Sequence, residues 1–122
     1  IMGLDMYAFT TAEPITAEVD FTTETATELA YWRKHPNLHG WMEQLYRAKG
    51  GTDADFNCVN VALDADDLDR LERDIRHQAL PHTEGFFFGT SRPDEIDLDL
   101  AFIEKARAAI AEGKTVFYTS WW

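Results

Sequence analysis

Residues 31–41 read YWRKHPNLHGW, and the proline in this stretch decides where the central helix of the chain can begin. Pro36 lacks a backbone N–H and would disturb a helix from inside, but it is well suited to the first helical position. Apolar residues then recur at helical spacing, namely Leu38, Trp41, Met42, Leu45 and Ala48. Gly50 and Gly51 end the pattern. The stretch therefore predicts a helix that starts at Pro36, with a break in the chain just before it.

Residues 22–34, which precede this break, are interpreted as a second helical piece. In a helix, Ala26, Leu29 and Trp32 would share an apolar face, and Arg33 would lie at its border. A guanidinium in that position needs a partner, because burying it unpaired is costly. The partner could be a carboxylate in a structural ion pair. It could also be an anion held by Arg33 and Lys34 at the N-terminus of the next helix.

The N-terminal part of the chain predicts an antiparallel hairpin. Residues 3–10 are interpreted as its first strand, and residues 15–21 alternate apolar and polar side chains as its second. Pro14 lies in the short turn between them. Two strands joined by so short a connection pair antiparallel.

The remaining elements complete an α+β pattern. Residues 59–63 predict a strand, and Asp64 and Asp67 form a weak capping box for the helix that follows. A long helix is predicted over residues 94–112, and residues 115–122 form a closing strand. We therefore expect one domain over residues 1–122. It has a mostly antiparallel sheet (N-terminal hairpin, central strand and C-terminal strand) packed with three to four helices.

Composition excludes some classes of partner. The formal net charge is −11, from 22 acidic and 11 basic residues, so binding to nucleic acid is disfavoured. No apolar run approaches the ~20 residues needed to cross a bilayer, so no membrane partner is predicted. The single cysteine, Cys58, fits a reducing compartment, and we expect a cytoplasmic location. The acidic surface is interpreted as a solvated coat or, alternatively, as a face for a basic partner.

A polar set around the proline break is the candidate ligand site. The residues predicted to bind a ligand are Tyr31, Arg33, Lys34, His39 and Trp41. His39 is the one plausible general base of the segment, and Asp94 is the second catalytic candidate. His39 could equally be a histidine that is hydrogen-bonded at a packed junction. No metal site is predicted, because Pro36 breaks the helical spacing between His35 and His39 and no obvious third ligand follows. No cofactor is predicted.

Consecutive aromatic residues predict an interface. In extended backbone, the three phenylalanines of residues 85–89 (GFFFG) cannot share a face, so Phe87 would point away from Phe86 and Phe88. Trp121 and Trp122 pose the same problem. Either both faces of the sheet are covered, or some aromatic area meets another subunit. The sequence therefore predicts a homodimer with Phe87, Trp121 and Trp122 at its interface.

Four separated motifs resemble one known family. They are MGLDMY at the start, YWRK followed by HGW, GFFFG preceded by LP, and a closing YxSW. The chain resembles a family of small uncharacterised proteins from bacteriophages and bacteria, along most of its length and in the same order. The resemblance implies no established activity. It carries over Asp5, Tyr7, residues 31–34, His39, Trp41, residues 86–88, Asp94, Glu95, Ser120 and Trp121 as motif positions.

The chain departs from the pattern of this family at two places. Pro93 stands where the family commonly has a tyrosine, and His35 and Pro36 replace its usual helix-friendly residues.

Two functions are therefore predicted. The leading prediction is a non-catalytic accessory domain that binds a protein partner, or a second copy of itself, through aromatic surface. The alternative is a binder of a small anion or phosphate-bearing ligand, or an enzyme, with a pocket around Arg33 and His39.

Overall fold

A four-stranded antiparallel sheet with helices packed on it forms the fold in our computed structural model, which describes residues 3–122. Met2, the first residue of the MGLDMY motif, lies outside them. The elements are β1 (Asp5–Thr11), β2 (Thr27–Arg33), α1 (Pro36–Ala48), β3 (Val61–Leu63), α2 (Ala65–Arg76), α3 (Glu95–Ala111) and β4 (Thr115–Trp121). The strands lie in the order β2-β1-β4-β3. Each neighbouring pair is antiparallel, which confirms the predicted α+β class.

The sheet has two unlike faces because side chains alternate along each strand. The inner face carries buried residues that join the hydrophobic core, among them Met6, Ala8, Trp32 and Tyr118. The ring of Trp32 packs edge-on against Phe102 of α3, so helices cover this face. The outer face carries Asp5, Tyr7, Phe9, Tyr31, Arg33, Phe117, Thr119 and Trp121.

The predicted hairpin partner of β1 is wrong. β1 pairs with β2, and residues 12–26 form the long connection between them. Residues 15–21 do not form a strand. Instead, Val19 makes an isolated bridge to Val61, and the backbone on either side of it bonds to Asn60 and Ala62. The apolar alternation therefore reflects a short extended segment beside β3.

The predicted helix over residues 22–34 is also wrong, because residues 27–33 form β2. Ala26, Leu29 and Trp32 fit a helical period, but pairing with β1 places Trp32 opposite Met6 and Tyr31 opposite Tyr7. Burial of Trp32 in the core outweighs the weak local preference for helix. A bulge at Leu29 interrupts the ladder, so Glu28 lies opposite Phe9 on the outer face.

The other predicted elements are confirmed with small changes of boundary. Pro36 opens α1, and Asp64 and Asp67 form a capping box at α2 in which each side chain accepts the other's backbone N–H. β3 is shorter than the predicted strand. α3 and β4 lie where the sequence pattern predicts them. The described chain contains three helices, the lower of the two predicted numbers.

Candidate functional site

The structure does not bring together Arg33 and His39, the two residues at the centre of the predicted ligand site. Tyr31 and Arg33 lie on the outer face, where the Tyr31 hydroxyl donates to Asp5 at 2.6 Å and the Arg33 guanidinium donates to it at 2.8 Å. Burial alone would raise the pKa of Asp5, but the hydrogen bonds from Tyr31 and Arg33 lower it below its ordinary value. His39 lies on the core side of the sheet. The residues of MGLDMY and YWRK therefore meet each other, but not His39.

The other predicted site residues lie apart as well. The backbone N–H of Lys34 donates to Leu4, and Lys34 adopts the left-handed conformation with φ +57°. The indole N–H of Trp41 donates to Asp74 at 2.8 Å, which ties α1 to α2. The Asp94 side chain is 77% exposed just before α3. Neither Lys34 nor Asp94 lines the cavity beside His39.

His39 is buried, with 1% of its surface exposed, and its Nδ1 lies 2.6 Å from the Tyr118 hydroxyl. Burial lowers the pKa of His39 to about 4, so the imidazole is neutral at pH 7. Burial raises the pKa of Tyr118 well above its ordinary value, although a hydrogen bond from Ser120 opposes that shift. We assign the phenol as the donor to Nδ1, because its raised pKa means that it keeps its proton at pH 7. The ring proton of His39 then lies on Nε2.

A cavity of about 200 Å³ lies beside His39, and we call it the His39 cavity. Its walls come from the start of α1, residues 54–56, the GFFFG segment and the C-terminus. Three of the motifs that carry the family resemblance therefore meet here. HGW supplies His39, and GFFFG supplies Phe86 and Phe88. YxSW supplies Tyr118, which does not line the cavity but is hydrogen-bonded to His39.

The GFFFG segment forms a turn, so its predicted extended alternation is wrong. The backbone N–H of Phe88 donates to Gly85, and Phe87 adopts the left-handed conformation with φ +58°. The turn leaves Phe86 and Phe87 exposed by 68% and 50%, with their ring centroids 4.4 Å apart. Phe88 turns inward and packs edge-on against His39.

The two C-terminal tryptophans have different environments. Trp121 lies on the outer face and is 57% exposed, as its predicted place at an interface requires. Trp122 instead packs edge-on against Phe88, and its indole N–H donates to the carbonyl of Phe56 at 2.8 Å. Trp122 is therefore part of the wall of the His39 cavity.

Aromatic rings form a continuous row on the outer face. Tyr7 lies 5.3 Å from Tyr31 and 5.8 Å from Phe9, and Phe9 lies 5.7 Å from Phe117, all measured between ring centroids. Phe117 is covered by the edge of Phe21, but Tyr31 remains 41% exposed. Tyr7 and Phe9 are half-buried, so the exposure of the row increases towards β2.

Sequence reasoning missed a buried polar cluster, which we call the His35 cluster. His35 Nε2 lies 2.9 Å from Asp99, and its Nδ1 lies 2.7 Å from the Ser91 hydroxyl and 3.2 Å from Glu95. The indole N–H of Trp32 also donates to Asp99 at 2.9 Å. The cluster adjoins a cavity of about 340 Å³. One signal was present, since Glu95 and Asp99 share the helical stripe that buries Phe102 and Ala106.

The His35 cluster resembles a serine–histidine–aspartate triad, but its geometry favours a structural role. A second carboxylate, Glu95, faces the same imidazole nitrogen as Ser91. The nearest backbone donors are already engaged, because Asn37 N–H donates to Ser91 and Arg92 N–H donates to Glu95. These two donors are therefore not free to stabilise a developing oxyanion. The cluster links the end of β2, the start of α1 and α3.

Comparison of the chain with protein-family models, with curated proteins and with solved structures finds no match. Within residues 3–122, no group of histidine, cysteine and carboxylate side chains is arranged to hold a metal ion. None of the helices there is long and apolar enough to cross a membrane.

Proposed function

We propose that this chain is a cytoplasmic, non-catalytic protein-interaction domain, and that its first partner is a second copy of itself. The observation that carries the proposal is the aromatic row, which ends at the border strand β2 with Tyr31 41% exposed. The exposed thiol of Cys58 fits a reducing compartment.

β2 is suited to pairing with another strand because β1 is its one neighbour in the sheet. A border strand presents backbone groups to any extended segment that approaches it. At the opposite border, β3 has three residues and the segment around Val19 lies against it. Association through β2 therefore meets less obstruction than association through β3.

The side chains of β2 favour one register for an antiparallel dimer. Residues that face each other in a ladder must lie on the same face of the sheet, so an outer residue has to meet an outer residue. A two-fold axis at Tyr31 satisfies this rule and joins the aromatic rows of the two copies. It also places Arg33 opposite the bulge of the second copy, where Glu28 points outward. Opposite charges would then flank the paired tyrosines.

The substitution Glu28→Arg tests this register. We expect the dimer dissociation constant to rise about tenfold, because the introduced guanidinium would face Arg33 of the second copy. Sedimentation equilibrium between 1 and 500 µM measures the change. The variant Glu104→Arg is the matched control, since it makes the same charge change at an exposed position of α3. A wild-type chain that stays monomeric over this range, or two variants that behave alike, would contradict the proposal.

A further inference from the structure

The unused nitrogen of His39 points to a ligand. The Nδ1 atom is bonded to Tyr118, and Nε2 makes no hydrogen bond with any residue in the range 3–122. Within that range, no fully enclosed side-chain nitrogen or oxygen lacks a partner. Nε2 is therefore not fully enclosed, and His39 lines the His39 cavity. A buried imidazole with one unbonded ring nitrogen thus borders a small cavity.

The walls of the His39 cavity are aromatic. Phe56 and Phe88 are buried and lie 4.9 Å and 5.2 Å from the His39 ring, measured between centroids. Trp122 stands edge-on to Phe88, and Phe86 lies at the more exposed side. The faces of aromatic rings carry partial negative charge and attract cations, and proteins use such rings to recognise quaternary ammonium groups.

The rim of the His39 cavity is acidic. Glu43, Asp55 and Glu84 line it, and no lysine or arginine among residues 3–122 does so. The side chain of Glu84 is 86% exposed, and Glu43 lies 3.3 Å from Arg47 outside the His39 cavity. Carboxylates at the mouth of a small cavity raise the local concentration of cations and repel anions. The site therefore disfavours the anionic ligand expected from the sequence.

The volume of the His39 cavity limits the size of the ligand. Its volume of about 200 Å³ is the volume that roughly six or seven water molecules occupy in liquid water. It is smaller than the pockets that hold drug-sized molecules. A quaternary ammonium group with a short side arm fits this volume.

We propose that the His39 cavity binds a small alkylammonium compound that carries one oxygen acceptor. The ammonium group lies against Phe88 and Trp122 with the rim carboxylates nearby, and the oxygen accepts from His39 Nε2–H. Tyr118 holds the imidazole in the tautomer that leaves this proton available. The site is separate from the β2 border and does not depend on dimer formation.

Calorimetry and NMR titration with three compounds test the need for a positive charge and for an oxygen acceptor. The compounds are choline, its uncharged isostere 3,3-dimethylbutanol, and tetramethylammonium. We expect choline to bind about tenfold more tightly than 3,3-dimethylbutanol, because the two differ in charge alone. Tetramethylammonium has no oxygen, so it should bind more weakly than choline and leave the His39 Nε2 resonance unshifted. Equal affinity for choline and its isostere, or no choline binding at 50 mM, would overturn the proposal.

The exposed rim residue Glu84 supplies a variant that leaves the core intact. We expect Glu84→Gln to weaken choline binding roughly threefold at low salt and to leave 3,3-dimethylbutanol binding unchanged. Glu104→Gln removes the same charge from α3 and should change neither affinity. If Glu84→Gln and Glu104→Gln lower choline affinity equally, the cation responds only to net charge, and the assignment to this cavity fails.

Discussion

Replacing Asp99 with alanine is expected to lower the free energy of unfolding by about 3 to 5 kcal/mol. Asp99 is 2% exposed, and it accepts hydrogen bonds from both the Trp32 indole and the His35 imidazole. Its removal leaves two buried donors without an acceptor, and each such loss is costly. A domain of this size has a total stability of roughly 5 to 15 kcal/mol, so the variant would be close to unfolding at 25 °C.

Urea denaturation followed by tryptophan fluorescence measures this loss. Asp99→Asn should lose less, because the amide oxygen still accepts from Trp32. Asp94→Ala is the matched control, since that carboxylate is exposed and lies 3.6 Å from an equally exposed Arg92. If Asp99→Ala is as mild as Asp94→Ala, the His35 cluster does not hold the sheet and α3 together.

Acidification from pH 7 to pH 5 is expected to remove about 2 kcal/mol of stability through His39 alone. Burial lowers its folded pKa to about 4, whereas the unfolded chain has the ordinary value near 6.5. Between these values the unfolded chain binds the proton more readily than the folded chain. The stability is therefore fully present above pH 6.5 and is lost as the pH falls toward 4.

The variant His39→Gln isolates this contribution, because the glutamine oxygen can still accept from Tyr118 but does not titrate in this range. Its free energy of unfolding should fall about 2 kcal/mol less than that of the wild type between pH 7 and pH 5. NMR titration of the His39 ring in the wild type gives an independent measurement if the variant folds poorly. A folded-state pKa near 6.5 would show that the imidazole is hydrated and would contradict this account.

The helices could be predicted from the sequence because their signals are local. Pro36 at the start of α1 and the Asp64–Asp67 capping box at α2 act within one turn of backbone. The sequence of β2 is assigned to a helix because the spacing of its apolar residues fits the period of a helix as well as that of a strand. Only contacts with Met6 and Phe102, both distant in the sequence, decide between them.

The candidate sites are harder to predict because they depend on distant pairs. The sequence marks His39 as chemically notable, but its partner Tyr118 lies 79 residues away. No local signal singles out His35, because its buried partner Asp99 comes 64 residues later. Arg33 is predicted beside the helix terminus, whereas its strand directs it to Asp5 on the outer face. Whether residues 27–33 form a helix or a strand therefore decides where the Arg33 side chain lies.

The bulge at Leu29 has a consequence for alignments of related chains. Deletion of Leu29 would leave Ala30 and Glu28 as consecutive positions, and the ladder would run on with the same side chains facing outward. Deletion of Ala30 or Tyr31 would also remove the bulge, and Trp32 would stay opposite Met6 in the core. We therefore expect homologues without the bulge to be one residue shorter, with the gap at any of positions 29 to 31.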